Sequence, residues 1–142
     1  MSKTLLDCGN CGPDFHAIRQ MVSNHFGASV VQSHGVEDTL EILRNQSVDL
    51  VTVNRKLDRD YSDGLDVAVA IKSDPELGSV PVMLVTNYDE HQETAIAAGC
   101  VRGLLRALLA LLREQDVVNV REDTTGGDGY LGQKLVELLV VA

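Results

Sequence analysis

The chain has 142 residues, 44% of them hydrophobic, which suits one compact domain with a sizeable core and leaves no room for two ordinary ones. Twelve Lys and Arg against twenty-one Asp and Glu give a formal charge of −9, which repels phosphate backbones and anionic bilayers; nucleic-acid and membrane binding are set aside and the charge is read as solubility. MSKTLLDCGN carries no apolar signal stretch, no segment reaches the roughly 18 apolar residues of a membrane span, and three cysteines leave an odd thiol over any disulfide framework, so the expectation is a cytoplasmic protein with reduced thiols.

Apolar runs and amphipathic stretches alternate, as repeated βαβ units around a largely parallel sheet require. Thr4 to Cys8 is the first predicted strand. Gly12 and Pro13 open a helix, because Pro is tolerated in a first turn whose amides lack partners, and Asp14 suits its positive end. Phe15, Ile18, Met21, Val22 and Phe26 recur at helical spacing, and Gly27 closes the helix as a left-handed cap. Residues 28–32 form the second strand. Val36, Leu40, Ile42 and Leu43 mark the second helix, with Glu37 and Asp38 in its first turn. The third strand is VDLVTVN, residues 48–54, too apolar for a wet face and therefore central and covered on both sides. A loop from Arg55 to Ser62 leads through Asp63 and Gly64 into a third helix that ends at Asp74 and Pro75. VPVMLVTN, residues 80–87, is the fourth strand, and Asp89 to Ala98 the fourth helix, ended by Gly99.

Beyond Gly99 two arrangements fit. In one, CVRGLL (residues 100–105) is the fifth strand and Arg106 to Gln115 the last helix. In the other, a single helix runs from about Gly103 to Gln115, DVVNV (residues 116–120) is the fifth strand, and Leu131 to Val141 is a final helix. The first leaves almost no loop between strand and helix; adopting it gives a domain over residues 1–115 and a C-terminal extension over 116–142. Either way the tail KLVELLVVA is apolar enough to need burial on its own domain or against a partner subunit.

Several short motifs carry chemistry in other settings. Cys8-Gly9-Asn10-Cys11 is a C-x-x-C between a strand and a helix start, where unpaired amides and the helix dipole lower a thiol pKa, so a thiol redox activity of Cys8 and Cys11 is the enzyme-class alternative. The Val-Pro of residues 80–81 is a weak echo of thioredoxin-like proteins, but a helical segment follows it where those folds need a hairpin. Cys100 and the four histidines, His16, His25, His34 and His91, form no paired ligand spacing for zinc, and the histidines are expected to face solvent. Residues 127–132 fit G-x-G-x-x-G, yet the chain ends before a second strand or ribose-binding acid can follow. Asp58, Asp60, Asp63 and Gly64 hint at a calcium loop but put Asp63 at the sixth position and Val69 at the twelfth.

The order of elements, with VDLVTVN, DGLDVAVAIKSDP, SVPVMLVTN and AIAAGCVRGLLR, resembles the receiver domain of two-component response regulators over roughly residues 3–115. The resemblance implies an α/β three-layer sandwich, flavodoxin-like, with a parallel sheet of order 2-1-3-4-5 and any ligand crevice at the carboxyl ends of strands one and three. Receivers place an acceptor aspartate at the end of strand three, an acidic pair after strand one that holds magnesium, a Thr or Ser after strand four and a Lys after strand five. Spacing matches here and chemistry does not. The acceptor position is Asn54, whose amide lacks the nucleophilic oxygen of a carboxylate. The degenerate acidic pocket reads Asp7, Cys8, Gly9, Asn10, so the acidic pair is missing unless Asp7 or Asp14 swings in, and magnesium prefers carboxylate oxygens. Thr86 stands at the switch hydroxyl, Arg106 in place of the Lys, and Gly103 in place of the strand-five aromatic; the loop after Asn54 is longer than usual in the family and lacks its proline. Taken without the resemblance, Asn54 is a polar strand end bonded to loop amides, Thr86 a β-branched residue satisfying a backbone group, and Arg106 a solvated helix start.

The expectation is a pseudo-receiver: no enzyme, no cofactor and no metal, but a phosphorylation-independent signalling module. It would bind a protein partner, or itself, through the last helices and the tail. A degenerate receiver switched by a small ligand in the crevice remains an open alternative.

Overall fold

The computed structural model describes residues 3–85 and 89–100. The fifth-strand alternatives, the 116–142 extension, the 127–132 glycine motif, Thr86, Gly103 and Arg106 lie outside the described residues. Eight elements follow in chain order: β1 (Thr4–Cys8), α1 (Gly12–Phe26), β2 (Ser29–Ser33), α2 (Val36–Asn45), β3 (Leu50–Asn54), α3 (Gly64–Ser73), β4 (Val82–Val85) and α4 (Asp89–Ala97). The strands are all parallel, in the order β2-β1-β3-β4, which is the expected order over the described part of the sheet.

Local chemistry sets the boundaries. Pro13 sits in the first turn of α1, and Gly27, at φ +63°, ends it by donating its N–H to Ser23 O at 3.0 Å. The Asp63 carboxylate accepts the Leu65 N–H at 3.0 Å and caps α3. Strand β3 begins two residues later than the apolar run suggests. Asp49 is held ahead of it, its N–H on Thr4 O at 2.9 Å and its carboxylate on the Thr4 N–H at 2.8 Å.

The strand order also fixes the layers. The chain crosses from β1 to β2 in one direction and from β2 through β3 to β4 in the other, so right-handed crossovers put α1 on one face of the sheet and α2 and α3 on the other. Strand residues follow with period two. Leu6, Cys8, Val51, Val53, Val82 and Leu84 join Leu43, Val67, Ala68, Ile71 and Ala95 in one core cluster. Leu5, Asp7, Leu50, Thr52 and Met83 turn to the opposite face, the α1 side, where Phe15, Ile18 and Val22 are buried. Two of those five strand residues are polar, which makes that face the unusual one. Among the described residues, no helix is long and apolar enough to cross a membrane.

Candidate functional site

The carboxyl ends of β1 and β3 lie side by side, with Cys8 in register with Val53, so Asn54 and the segment Gly9 to Cys11 share one crevice. Asn54 is half-buried. Its side-chain Nδ2 donates to Lys56 O at 2.9 Å and, over a longer 3.5 Å, to Gly9 O. The expected bonds to loop amides are thus replaced by bonds to loop carbonyls. The difference has a chemical consequence, because only a donor suits that environment and a carboxylate oxygen placed there would face two carbonyl oxygens.

The loop that follows is ordered from within. Lys56 and Asp63 form an antiparallel bridge, Leu57 N–H donates to Ser62 O at 2.9 Å, Tyr61 N–H to Leu57 O at 3.0 Å, and Gly64 N–H to Arg55 O at 2.7 Å. This small hairpin turns Leu57 inward until it is only 3% exposed. Leu57 lies on Gly9: a Cβ built on Gly9 would come 2.5 Å from Leu57 Cδ2 and 3.3 Å from its Cα, and Gly9 has φ +90°. An acidic side chain at position 9 therefore meets both a left-handed backbone and an occupied space. Leu57 carried a faint sequence signal, the one apolar residue in the polar stretch 55–63.

Asp7 does not swing into the crevice. It projects to the α1 side of the sheet and is 0% exposed, with Asn10 Nδ2 donating to its two oxygens at 2.8 and 2.9 Å and Thr52 Oγ1 donating at 3.1 Å. Gln32, in register with Asp7 across β2, donates to Asn10 O at 3.0 Å. Burial pushes the Asp7 carboxyl up to about 6, against the lowering effect of the Asn10 and Thr52 bonds, and the charges of Asp14 and Asp58 push the same way. Asn10 is 1% exposed, and its Oδ1 has no hydrogen-bond partner. Two of the expected acidic-pocket residues, Asp7 and Asn10, are thus joined in one buried polar tract under α1, while Gly9 lies against Leu57.

The two cysteines of the C-x-x-C motif have opposite surroundings. Cys8 lies in the core on the α2/α3 side, its Sγ accepting a bond from Thr39 Oγ1 at 3.4 Å, and burial pushes its thiol up, the reverse of activation. Cys11 is exposed at the N-cap of α1, its thiol donating to Asp14 Oδ2 at 3.3 Å. Both are free, as is Cys100.

The histidine expectation needs correcting. His16 is exposed, but His34 and His91 are half-buried. His34 stands between β2 and α2 with its Nδ1 3.0 Å from Asp58 Oδ2, a bond that ties the β2–α2 turn to the hairpin across the mouth of the crevice. Of the acidic residues in this loop, Asp58 bonds His34, Asp60 accepts from Ser62 and Asp63 accepts the Leu65 N–H. Among the described residues, no three His, Cys, Asp or Glu side chains gather as a metal site. The open depression lined by His16, Arg19, Gln20, Ser23 and Asn24 runs along α1 rather than into the crevice.

No protein-family model matches the chain, and no curated protein matches it. Solved structures do. The chain is similar to the signal receiver domain of a DNA-binding response regulator (merR) from Colwellia psychrerythraea 34H, with TM-score 0.59 and 20% identity, covering 70% of this chain and 81% of that one. It is similar to a putative response regulator from Chloroflexus aurantiacus J-10-fl, with TM-score 0.62 and 15% identity over 70% and 81% of the two chains. The chemotaxis response regulator CheY4 of Vibrio cholerae matches with TM-score 0.54 and 17% identity over 70% and 82%. At such identities the likeness is one of fold, and the described part of this chain has the fold of a response-regulator receiver domain.

Proposed function

We propose that this chain is a phosphorylation-independent, receiver-like signalling module of a two-component-type pathway, a binding protein rather than an enzyme, acting in the cytoplasm. The solved neighbours are described as response regulators, and taking that role over to this chain is part of the proposal. The observation that carries it is the Asn54 side chain, which donates to the carbonyls of Lys56 and Gly9 where phosphoryl chemistry needs an exposed carboxylate. Leu57 packed on Gly9 supports it independently, because the space for a metal-holding acid is filled. Without a phosphoryl charge to move it, the surface stays in one state or is biased by a bound partner. That partner is another protein or a second copy of the chain, and the expected contact through residues 101–142 belongs to this proposal.

The test restores the missing acceptor. Asn54→Asp is expected to lower the unfolding free energy by roughly 1 to 2 kcal/mol, since a carboxylate loses the donor bond to Lys56 O and faces both carbonyls. It is also expected to take up no phosphoryl group from acetyl phosphate with magnesium. Denaturant unfolding and intact-mass measurement read the two effects. Uptake by this single variant would show the rest of the crevice to be competent and remove the support drawn from Leu57 and Gly9, and uptake by the wild type would overturn the reading.

The thiol redox alternative makes a separate demand, an accessible and activated pair. The burial of Cys8 and its raised thiol count against it.

A further inference from the structure

The Asp7 carboxyl is buried without a cation. It is 0% exposed and has no ion pair among the described residues, and the charges that reach it, Asp14 in the first turn of α1 and Asp58 on the hairpin, are both negative. Strands β2, β3 and β4 bring it no ionisable side chain. Cys8 turns to the opposite face, His16 and Arg19 of α1 are exposed, and His34 is bonded to Asp58. An ionised carboxylate in that position is costly, and the bonds it accepts offset the cost only in part, which is why its pKa rises to about 6.

Asn10 complements the other protonation state. In the structure its Nδ2 lies between the two carboxyl oxygens, 2.8 Å from Oδ1 and 2.9 Å from Oδ2, as it would against a carboxylate, and its own Oδ1 is buried with no partner. Thr52 donates to Asp7 Oδ1, so among the described residues Oδ2 has Asn10 alone and is the oxygen free to carry a proton. A protonated Oδ2 becomes a donor, and the acceptor it needs is the orphaned Asn10 Oδ1. A turn of the Asn10 amide about χ2, a torsion with broad wells, sets Oδ1 against Oδ2–H and leaves Nδ2 on Asp7 Oδ1. Every polar atom of the pair is then bonded.

We propose that Asp7 and Asn10 form a proton-operated switch beneath the crevice: with a proton on Asp7 the two close a carboxylic acid–amide ring, and when the proton passes to solvent the Asn10 amide turns back to the carboxylate and shifts the Gly9 carbonyl. The path to the crevice is short. Gln32 holds the Asn10 carbonyl at 3.0 Å, so the turn is taken up on the other side, at the Gly9–Asn10 peptide. Gly9 O belongs to that peptide and accepts from Asn54 over 3.5 Å, the loosest of the bonds around Asn54 and Asn10. A proton on Asp7 is thereby felt at Asn54. As an input that biases the module the switch rests on the proposed function, with a proton acting where a receiver would use a phosphoryl group.

The full chain and its Asp7→Asn variant are compared between about pH 4 and 8 by infrared difference spectroscopy and by the side-chain amide resonances of Asn10 and Asn54. The wild type is expected to show a carboxylic acid carbonyl band that the variant lacks, lost as pH rises with a midpoint near 6, and both amides are expected to move with that midpoint. In Asp7→Asn, whose neutral amide can close the same kind of ring, neither amide should titrate, whereas His34→Gln should keep the transition. Absence of the acid band at about pH 5, or an acid band that titrates while the Asn54 amide stays still, overturns the proposal. So does loss of the Asn54 transition in His34→Gln, which would place the input at the His34–Asp58 bond. The two readings fail separately. Phosphoryl uptake by the wild type would leave this titration standing, and a missing acid band would leave phosphorylation independence untouched.

Discussion

Gly64→Ala is expected to lower the unfolding free energy by roughly 3 kcal/mol or more, the larger of the two main stability effects foreseen for this protein. A Cβ at position 64 would lie 1.9 Å from Asn54 O and 2.8 Å from Val53 Cγ1, and the first of these is backbone that a rotamer change cannot move. The same residue donates its N–H to Arg55 O at 2.7 Å, so the hairpin cannot retreat without losing the bond that closes it. The start of α3 must then separate from the end of β3, and Leu57 must lift from Gly9. Urea unfolding of wild type and variant measures the cost. A change below about 1 kcal/mol would mean that the close contact between Gly64 and Asn54 is not part of the stable fold.

Asp7→Asn is expected to stabilise the protein at neutral pH, by about 2 kcal/mol. The Asp7 carboxyl is raised from 3.8 in the ordinary case to about 6 in the fold, chiefly by burial. Raised in this direction, the folded state holds the proton more tightly than the unfolded chain does. The wild type is therefore favoured below pH ~4, loses stability as pH rises through the folded value near 6, and stays at the lower level above it. The full linkage over two units corresponds to about 3 kcal/mol, reduced in the variant because an amide has one accepting oxygen where the carboxylate offers two to Asn10 and Thr52. The variant removes the titrating group, so its advantage should grow between pH 4 and 7 and then level off. Chemical unfolding across that range measures it. A variant less stable than wild type at pH 7.5, with an unchanged slope below, would show that the ionised carboxylate is well solvated by its partners and does not burden the fold.

The regular elements were legible from local pattern. Pro13 and Gly27 bracket α1, Asp63 and Asp74 bracket α3, and the apolar run into Asn54 marked a central strand, because each signal acts within a turn or two of itself. That the described strands are parallel followed from the alternation of apolar and amphipathic runs, and their order from the resemblance to receiver domains. What was not legible depends on pairing at a distance. His34 looked like a solvent-facing residue until the fold set Asp58, 24 positions away, beside it. Leu57 stood out only faintly in a polar loop, and nothing local said what it packs on, because its partner is Gly9 on another strand end. Asp7 was read as a possible crevice ligand, while the two-residue period of β1 sends it to the opposite face from Cys8, under α1. Asn54 was expected to bond to loop amides, but its bonds run to carbonyls.

Those particulars share one consequence. Asn54 is engaged with the Gly9 and Lys56 carbonyls and Gly9 lies against Leu57, and the proposed function rests on these contacts. The most direct measurement is intact mass of the wild-type chain after incubation with acetyl phosphate and magnesium, followed by peptide mapping. The account predicts no gain of a phosphoryl group on any crevice side chain, and a phosphoryl group mapped to the segments 7–11 or 54–58 would contradict it.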